Sequence, residues 1–393
     1  MKQFNNQHIH VPIPGDHYSV TNGSAVMTVV YEFSRKHEEA GGRAQVIVGR
    51  NTRHDYEAGE RVPVDFAPLP TRNQKIVDVA LGRLGMQRPF INRAYAAGVK
   101  AVDPKFDGAI FIQNTPGPAR QFKKHSPNAR VCVNVYNALF HTYGSGELHR
   151  TVDAADLIIF NCDFLANQFL PRLRHGREKV RVVLNGVDTK RFVPRPELTP
   201  KDEVVILFVA RMVPQKGAHL LIEAARKIHG RTRPFKLRLV GREHFDVNFP
   251  LSPFEIEVRR LAEPLGDSVE FLPFLDREKI LPVYQSASIF CAPSNYDEPC
   301  TLALPEAMSC GVPSIASRRG GIPEVGRDAI FYFDPSNTDR LADHLAYLIE
   351  DEQARIEWGR RARAQAEAMD WEIQYYALLE AIGSEAPTLA AIS

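Results

Sequence analysis

Residues 204–230 read VVILFVARMVPQKGAHLLIEAARKIHG. The unbroken apolar run from Val204 to Ala210 has the length of a strand buried on both faces. Arg211 ends it, a short turn follows through Pro214, Lys216 and Gly217, and Ala218 to His229 is a helix. A buried strand feeding a helix through a short turn is half of a βαβ unit, the grammar of a parallel sheet.

The same alternation extends both ways. Downstream, Lys236–Val240, Val269–Leu272, Ser288–Ala292 and Pro313–Ala316 read as strands, and residues 352–382 as helix interrupted near Met369-Asp370. Upstream, His8–Pro12 is extended and Thr21-Asn22-Gly23-Ser24 opens a helical pattern over Ala25–Glu39. Ala44–Val48, Gly108–Ile112, Val131–Val135 and Leu157–Phe160 are further short apolar strands. Between the two series lies NGVDTKRFVPRPELTPKDE, residues 185–203, whose prolines and charges read as a linker. The expected fold class is therefore α/β, with two doubly wound domains over 1–195 and 196–369. Residues 384–393 read as a frayed tail.

The 393 residues are 44% hydrophobic and 24% charged, which suits two globular domains and excludes a mostly disordered chain. There is neither an 18-residue apolar run nor a basic-then-apolar leader, so a cytoplasmic location is expected. Five cysteines without CxxC spacing read as reduced, mostly core thiols, and a structural zinc site is not expected. The charge is uneven. Residues 1–197 hold 27 Lys and Arg against 18 Asp and Glu, and the remainder 22 against 29. A basic first half suits phosphates, an anionic membrane surface or nucleic acid. Within it, residues 72–100 carry six bases and one acid among apolar positions such as Ile76, Val79 and Leu84, a pattern able to lie on an anionic membrane.

Three segments carry chemistry. Arg211 and Lys216 flank a strand-to-helix turn, where free N–H groups, the helix dipole and two cations suit a pyrophosphate. In Glu298-Pro299-Cys300-Thr301-Leu302-Ala303-Leu304-Pro305-Glu306, two carboxylates stand eight apart. Pro305 fits an early helical position, and Gly311 with Pro313 ends that helix. Carboxylates there can accept from ribose or sugar hydroxyls. Gly320-Gly321-Ile322-Pro323-Glu324 allows close backbone approach to a ligand. No GxGxxG follows a strand and no GxxxxGK[ST] occurs, which disfavours a dinucleotide dehydrogenase and excludes a P-loop kinase.

In this order and spacing the segments resemble the GT-B glycosyltransferases, specifically the large retaining family 4, most strongly over residues 180–335. The match includes Asn185-Gly186-Val187-Asp188, the Arg211/Lys216 turn and EPCTLALPEAMSCGVPSIASRRGGIPE. Asn22-Gly23 resembles the family's glycine-rich donor-side loop. Where the family often has His after the strand Val131–Val135, this chain has Tyr136 and then Asn137, with His141 nearby; Gln113-Asn114 stands at another place where His is common.

The resemblance implies two Rossmann-like domains facing across a cleft, the helix at about 370–385 packing back on the first. It implies transfer of a hexose-type sugar from a nucleotide-diphosphate donor, UDP favoured and GDP next, to an acceptor hydroxyl with retention. The acceptor would be a glycan, glycolipid or phosphorylated molecule in cell-surface polysaccharide or lipopolysaccharide synthesis. Arg211 and Lys216 would neutralise the leaving diphosphate, and Glu298 would hold the donor sugar. Glu306 would bind ribose, and Gly23 with backbone N–H groups near Cys300, Thr301 and Leu302 would approach phosphate or sugar. The base would sit near Gly241 and Pro273–Leu275. Tyr136, Asn137 and His141 are the acceptor-side candidates. No cofactor and no metal are expected, since Arg and Lys meet the diphosphate charge and no Asp-x-Asp triplet occurs. Peripheral contact with an anionic membrane through the basic first domain is expected, and nucleic acid is not. The alternatives are a nucleotide-sugar epimerase or hydrolase on this fold, or an inactive GT-B binding scaffold.

Overall fold

The computed structural model describes residues 6–21, 23–195, 203–244 and 249–384. The chain divides into two units, at Asn185/Gly186 and again at Asp370/Trp371.

The first unit is built on β1 (Gln7–Val11), β2 (Arg43–Gly49), β3 (Glu60–Val64), β4 (Ala109–Gln113), β5 (Arg130–Val135), β6 (Leu157–Phe160) and β7 (Val180–Val182). They form one sheet in the order β3-β2-β1-β4-β5-β6-β7, every pairing parallel. The crossovers are α1 (Ala25–Glu39), α2 (Arg72–Arg83), α3 (Pro89–Ala101), α4 (Ala119–His125), α5 (Ser145–Ala154) and α6 (Asp163–Phe169). β4 and β5 are buried almost throughout because helices cover both faces. Ser24 caps α1 by accepting from the Met27 N–H, a contact typically worth about 1 kcal/mol.

The second unit repeats the theme with β8 (Val204–Val209), α7 (Ala218–Ile228), β9 (Phe235–Val240), α8 (Pro253–Ala262), β10 (Val269–Leu272), α9 (Ile280–Ser286), β11 (Ile289–Ala292), α10 (Ala303–Ser309), β12 (Ser314–Ser317), α11 (Ile322–Gly326), β13 (Phe331–Phe333), α12 (Thr338–Glu350) and α13 (Glu352–Glu367). Its parallel sheet runs β10-β9-β8-β11-β12-β13, the order of a dinucleotide-binding Rossmann sheet. α7 shows why the sequence folds this way: Leu221, Ile222, Ala224, Ala225 and Ile228 bury one stripe, and Arg226 and Lys227 complement the dipole at its end.

α14 (Trp371–Ala381) belongs to the first unit. Buried Trp371 meets Phe33 of α1 edge-on at 5.3 Å between ring centroids, and the Tyr375 hydroxyl lies 2.9 Å from His37 Nδ1.

The structure departs from the sequence reading in places. Residues 186–195 group with the second unit, so the division falls about ten residues before the expected boundary at 195. Phe192 explains this: it is fully buried, edge-on to Tyr284 at 5.8 Å. Arg363 fastens the same segment by donating to the Phe192 and Thr189 carbonyls. Three strands went unread, β3, β7 and β13. β3 carries Pro63 and lies at the sheet edge, where a missing N–H is tolerated. The cysteines agree with that reading: four of the five free thiols are buried, and Cys300 is half-buried. Residues 196–202 of the expected linker, and 385–393 of the expected tail, lie outside the described residues.

Candidate active site

In a doubly wound sheet, ligands bind beyond the carboxyl ends of the strands where the strand order reverses. In the second unit that point lies between β8 and β11. The loops leaving these two strands carry Lys216 and Glu298.

After β8 the chain makes a single 3₁₀ turn, Pro214–Lys216, and closes it with Gly217 at φ +76°. A Cβ on Gly217 would lie 1.8 Å from the Pro293 carbonyl oxygen, so only glycine permits this approach. Asn295 N–H donates to the Gln215 carbonyl at 2.9 Å, tying the β11 loop to the turn. Lys216 is thereby aimed at Glu298, with Nζ 2.6 Å from both carboxylate oxygens. The Tyr296 hydroxyl lies 3.4 Å from the same ammonium, and Ser294 Oγ donates to Glu298 Oε2 at 2.9 Å. Burial, then the neighbouring Glu298 charge, raises the Tyr296 phenol, so it stays protonated.

The double-glycine loop holds the backbone of this carboxylate. Gly321 N–H donates to the Glu298 carbonyl at 2.8 Å. A Cβ on Gly320, at φ +57°, would lie 2.2 Å from that carbonyl oxygen. Gly241, at φ +126°, sits where β8, β9 and β10 end together; a Cβ there would meet the Ala210 carbonyl at 2.0 Å. Arg211 is exposed and forms no ion pair among the described residues. Cys300, Thr301 and Leu302 are half-buried just ahead of α10.

Glu306, inside α10, faces different partners. Arg277 Nη1 donates to its Oε1 at 2.9 Å, and the Tyr284 hydroxyl to its Oε2 at 2.8 Å. The two carboxylates are only 4% and 7% exposed. Both therefore answer the rule that a buried charge needs a counter-charge. The sequence reading left both open to hydroxyls; the structure gives each a cation as well.

Arg277, Tyr284, Tyr296 and Ser294 were missed. Tyr296, two residues before Glu298, was the findable one. Arg277 and Tyr284 sit in a loop and a short helix with no motif of their own.

In the first unit, Gly23 N–H donates to the Ser19 carbonyl at 3.0 Å, and a Cβ on Gly23 would lie 2.3 Å from that oxygen. Asn22 lies outside the described residues. The Tyr136 hydroxyl donates to Gln113 Oε1 at 2.9 Å, and Gln113 Nε2 donates to His10 Nδ1 at 3.1 Å. Asn114, at φ +52°, receives the Tyr136 N–H on Oδ1 at 3.2 Å. Asn137 and His141 are exposed, and His141 Nδ1 donates to the Ala138 carbonyl of its own turn.

Residues 189–365 match the family model of glycosyl transferases group 1, and the second unit is a domain of that family. Spore coat protein SA of Bacillus subtilis (strain 168) is 27% identical over 293 residues, 70% of this chain and 77% of its own length. The putative colanic acid biosynthesis glycosyltransferase WcaL of Escherichia coli (strain K12) is 34% identical over 224 residues, 54% of this chain and 52% of its own. In fold, the chain is similar to Anabaena Alr3699/HepE, solved in complex with UDP and glucose. That match has a TM-score of 0.72 and 19% identity, covering 96% of this chain and 99% of the other.

Proposed function

We propose that the protein is a retaining, metal-independent glycosyltransferase that takes a hexose-type sugar from a nucleotide-diphosphate donor. The observation that carries this reading is the Lys216–Glu298 pair at the β8/β11 reversal, framed by Gly217 and Gly320. Glycosyl transfer builds positive charge on the sugar and negative charge on the leaving diphosphate. Lys216 and Arg211 place cations where that negative charge grows. The Lys216 ammonium has three N–H donors, so it can serve Glu298 and a phosphate oxygen together. Glu298 orients Lys216 and accepts from donor-sugar hydroxyls; Glu306 accepts from ribose. The leaving phosphate takes the acceptor proton on the same face, which needs no carboxylate nucleophile and separates this chemistry from that of retaining glycosidases.

UDP is the favoured nucleotide, since the fold relative HepE was solved with UDP and glucose; GDP is next, since one relative is named as GDP-mannose-dependent. The colanic acid relative supports a glycan, glycolipid or phosphorylated acceptor of the cell surface, bound by the first unit through Tyr136 and Asn137.

We also propose peripheral contact between α2 and an anionic lipid surface. Ile76 and Leu84 are 62% and 76% exposed there, beside exposed Arg72, Lys75 and Arg83. Asp78, the one acid in 72–100, is buried and accepts from the Phe90 and Ile91 N–H groups. The outward face is thus apolar and basic. Among the described residues no helix is long and apolar enough to cross a membrane. Equal sedimentation with neutral and anionic vesicles would remove this contact.

Thermal-shift titration with UDP, GDP, ADP and NAD, with and without EDTA, tests the transfer reading. A ligand at 100 Kd adds about 2.7 kcal/mol. The expected result is a shift with one nucleoside diphosphate, unchanged by EDTA, and larger with one of its sugar conjugates. A shift with NAD alone, or with no nucleotide, overturns the reading.

A further inference from the structure

The first unit holds a cavity that the proposed transfer leaves unassigned. It is about 40 Å³ and lies between the turn joining α2 to α3, the chain leading from β4 into α4, and α5. A water needs roughly 10–15 Å³ of such space, so the cavity admits about three waters or one tetrahedral oxyanion.

Three guanidinium groups line it, from Arg88, Arg120 and Arg150. Arg88 already has a counter-charge. It pairs with Glu147 at 2.6 and 3.0 Å, donates to the Thr142 carbonyl at 3.1 Å, and lies 4.0 Å over the Tyr143 ring. Glu147 is thereby neutralised, and Gly82 leaves room for it, since a Cβ there would lie 2.4 Å from Oε2. Arg150 and Arg120 differ. Among the described residues neither forms an ion pair or donates a hydrogen bond, and Arg150 Nη2 is buried without an acceptor. The Arg150 guanidinium is seated between two backbones, because a Cβ on Gly146 or Gly85 would lie 3.5 or 3.6 Å from Nη1. A buried, unpaired guanidinium N–H bears its full desolvation penalty until an anion arrives.

We propose that this cavity is an oxyanion site that takes the phosphate group of a phosphomonoester or phosphodiester, with Arg150 and Arg120 as its charged donors. Planar guanidinium forks match tetrahedral oxyanions two N–H groups at a time. With Arg88 and Glu147 cancelling, two positive charges remain for the roughly −1.5 to −2 of a phosphomonoester at neutral pH. The Asn92 amide can add a donor. It is held only at 3.5 Å to Gln87, and its Oδ1 is buried without a partner, so turning it over presents NH₂ instead. The Pro116–Gly117 wall follows the carboxyl end of β4, beside the β1/β4 reversal of the first sheet, where such folds bind ligands. Met86, 48% exposed, joins the wall to the apolar α2 surface, so a lipid phosphate and a soluble phosphate ester share this chemistry. Its use as the seat of an acceptor's phosphate rests on the transferase reading; anion binding itself does not.

The test is calorimetric titration of inorganic phosphate into the full chain carrying Arg211→Gln and Lys216→Gln, which silences the donor-side cations. Saturable binding is expected, weakened about tenfold or more by Arg150→Gln and separately by Arg120→Gln. Arg120 is exposed, so its variant keeps the test sound if Arg150→Gln unfolds the unit. Absence of saturable binding, or both variants matching their parent, overturns the proposal. Vesicles of phosphatidic acid against phosphatidylcholine then assign the source. Selective adhesion lost in Arg120→Gln upholds the site as one for lipid phosphate, and phosphate binding without it upholds a soluble ester. If phosphate binds but UDP fails to bind the natural chain, the transferase reading falls and the oxyanion site stands.

Discussion

Lys216 and Glu298 leave the sheet on different strands, β8 and β11, yet the Lys216 ammonium lies 2.6 Å from both oxygens of the Glu298 carboxylate. Side-chain exposures of 17% and 6% put the pair where water screens it poorly. Such a pair has two separable consequences. Removing one partner strands a buried charge, and removing the cation also takes away what the leaving diphosphate needs.

Lys216→Met is therefore expected to lower both stability and kcat, the latter by about 10²–10³-fold. Adding Glu298→Gln removes the stranded charge, so the double variant should regain stability without regaining kcat. Denaturant melts and steady-state kinetics on the four proteins of this cycle check it. Recovery of kcat together with stability would mean that Lys216 only holds the loop.

Gly217 tests the turn that aims Lys216. Gly217 and Gly230 share nearly the same backbone, φ +76° and +73°, but a Cβ on Gly230 meets nothing within 4 Å. Both Ala variants bear the left-handed strain of about 1–3 kcal/mol. Only Gly217→Ala must also push away the Pro293 carbonyl, so its Tm should fall clearly further than that of Gly230→Ala, with activity lost as well. Equal Tm losses would show that the close approach is dispensable.

The strand-turn-helix at 204–230 was legible because its strand is apolar on both faces and its helix apolar on one. The Glu298 and Glu306 positions were legible as motif residues. Their counter-charges were not, because nothing local in the sequence says that Arg277 reaches across 29 positions to Glu306. The same holds for Phe192. Its apolar side chain sits among prolines and charges that read as linker, and only burial against Tyr284 assigns it to the second unit. The histidine cluster escaped for a related reason: His8 and His10 lie on β1 and His37 on α1, and they meet only once the two elements pack.

That cluster sets a pH dependence. The His8 and His37 rings stack at 3.5 Å, and burial is the main cause lowering all three, His37 to about 4 and His10 to about 3. The folded state thus keeps them neutral where an unfolded chain, with His near 6.5, takes up protons. Above about pH 6.5 neither state is protonated and stability is intact. As pH falls from about 6.5 towards about 4, the unfolded state gains protons first and stability is lost. Each such His contributes a slope of about 1.4 kcal/mol per pH unit. Urea melts at pH 7.5 and 5 should show this loss, and His37→Gln should flatten it. An unchanged slope in that variant would place the titration elsewhere.

Glu306 offers the sharpest separation of binding from chemistry. Its ribose contact would be the same in the ground and transition states, so its loss should appear in donor KM and spare kcat. Glu306→Gln is the variant to use, because the amide oxygen can still accept from Tyr284 while the charge facing Arg277 is gone. A hydrogen bond to a charged group is worth about 1.5–3 kcal/mol, which corresponds to a donor KM raised roughly ten- to a hundredfold. Tyr284→Phe supplies the control. It frees Oε2 but leaves the carboxylate and its Arg277 partner, so KM should move far less. Kinetics with the sugar conjugate identified by thermal shift decide the matter: a fall in kcat at constant KM in Glu306→Gln would move this carboxylate from the ribose to the reacting centre.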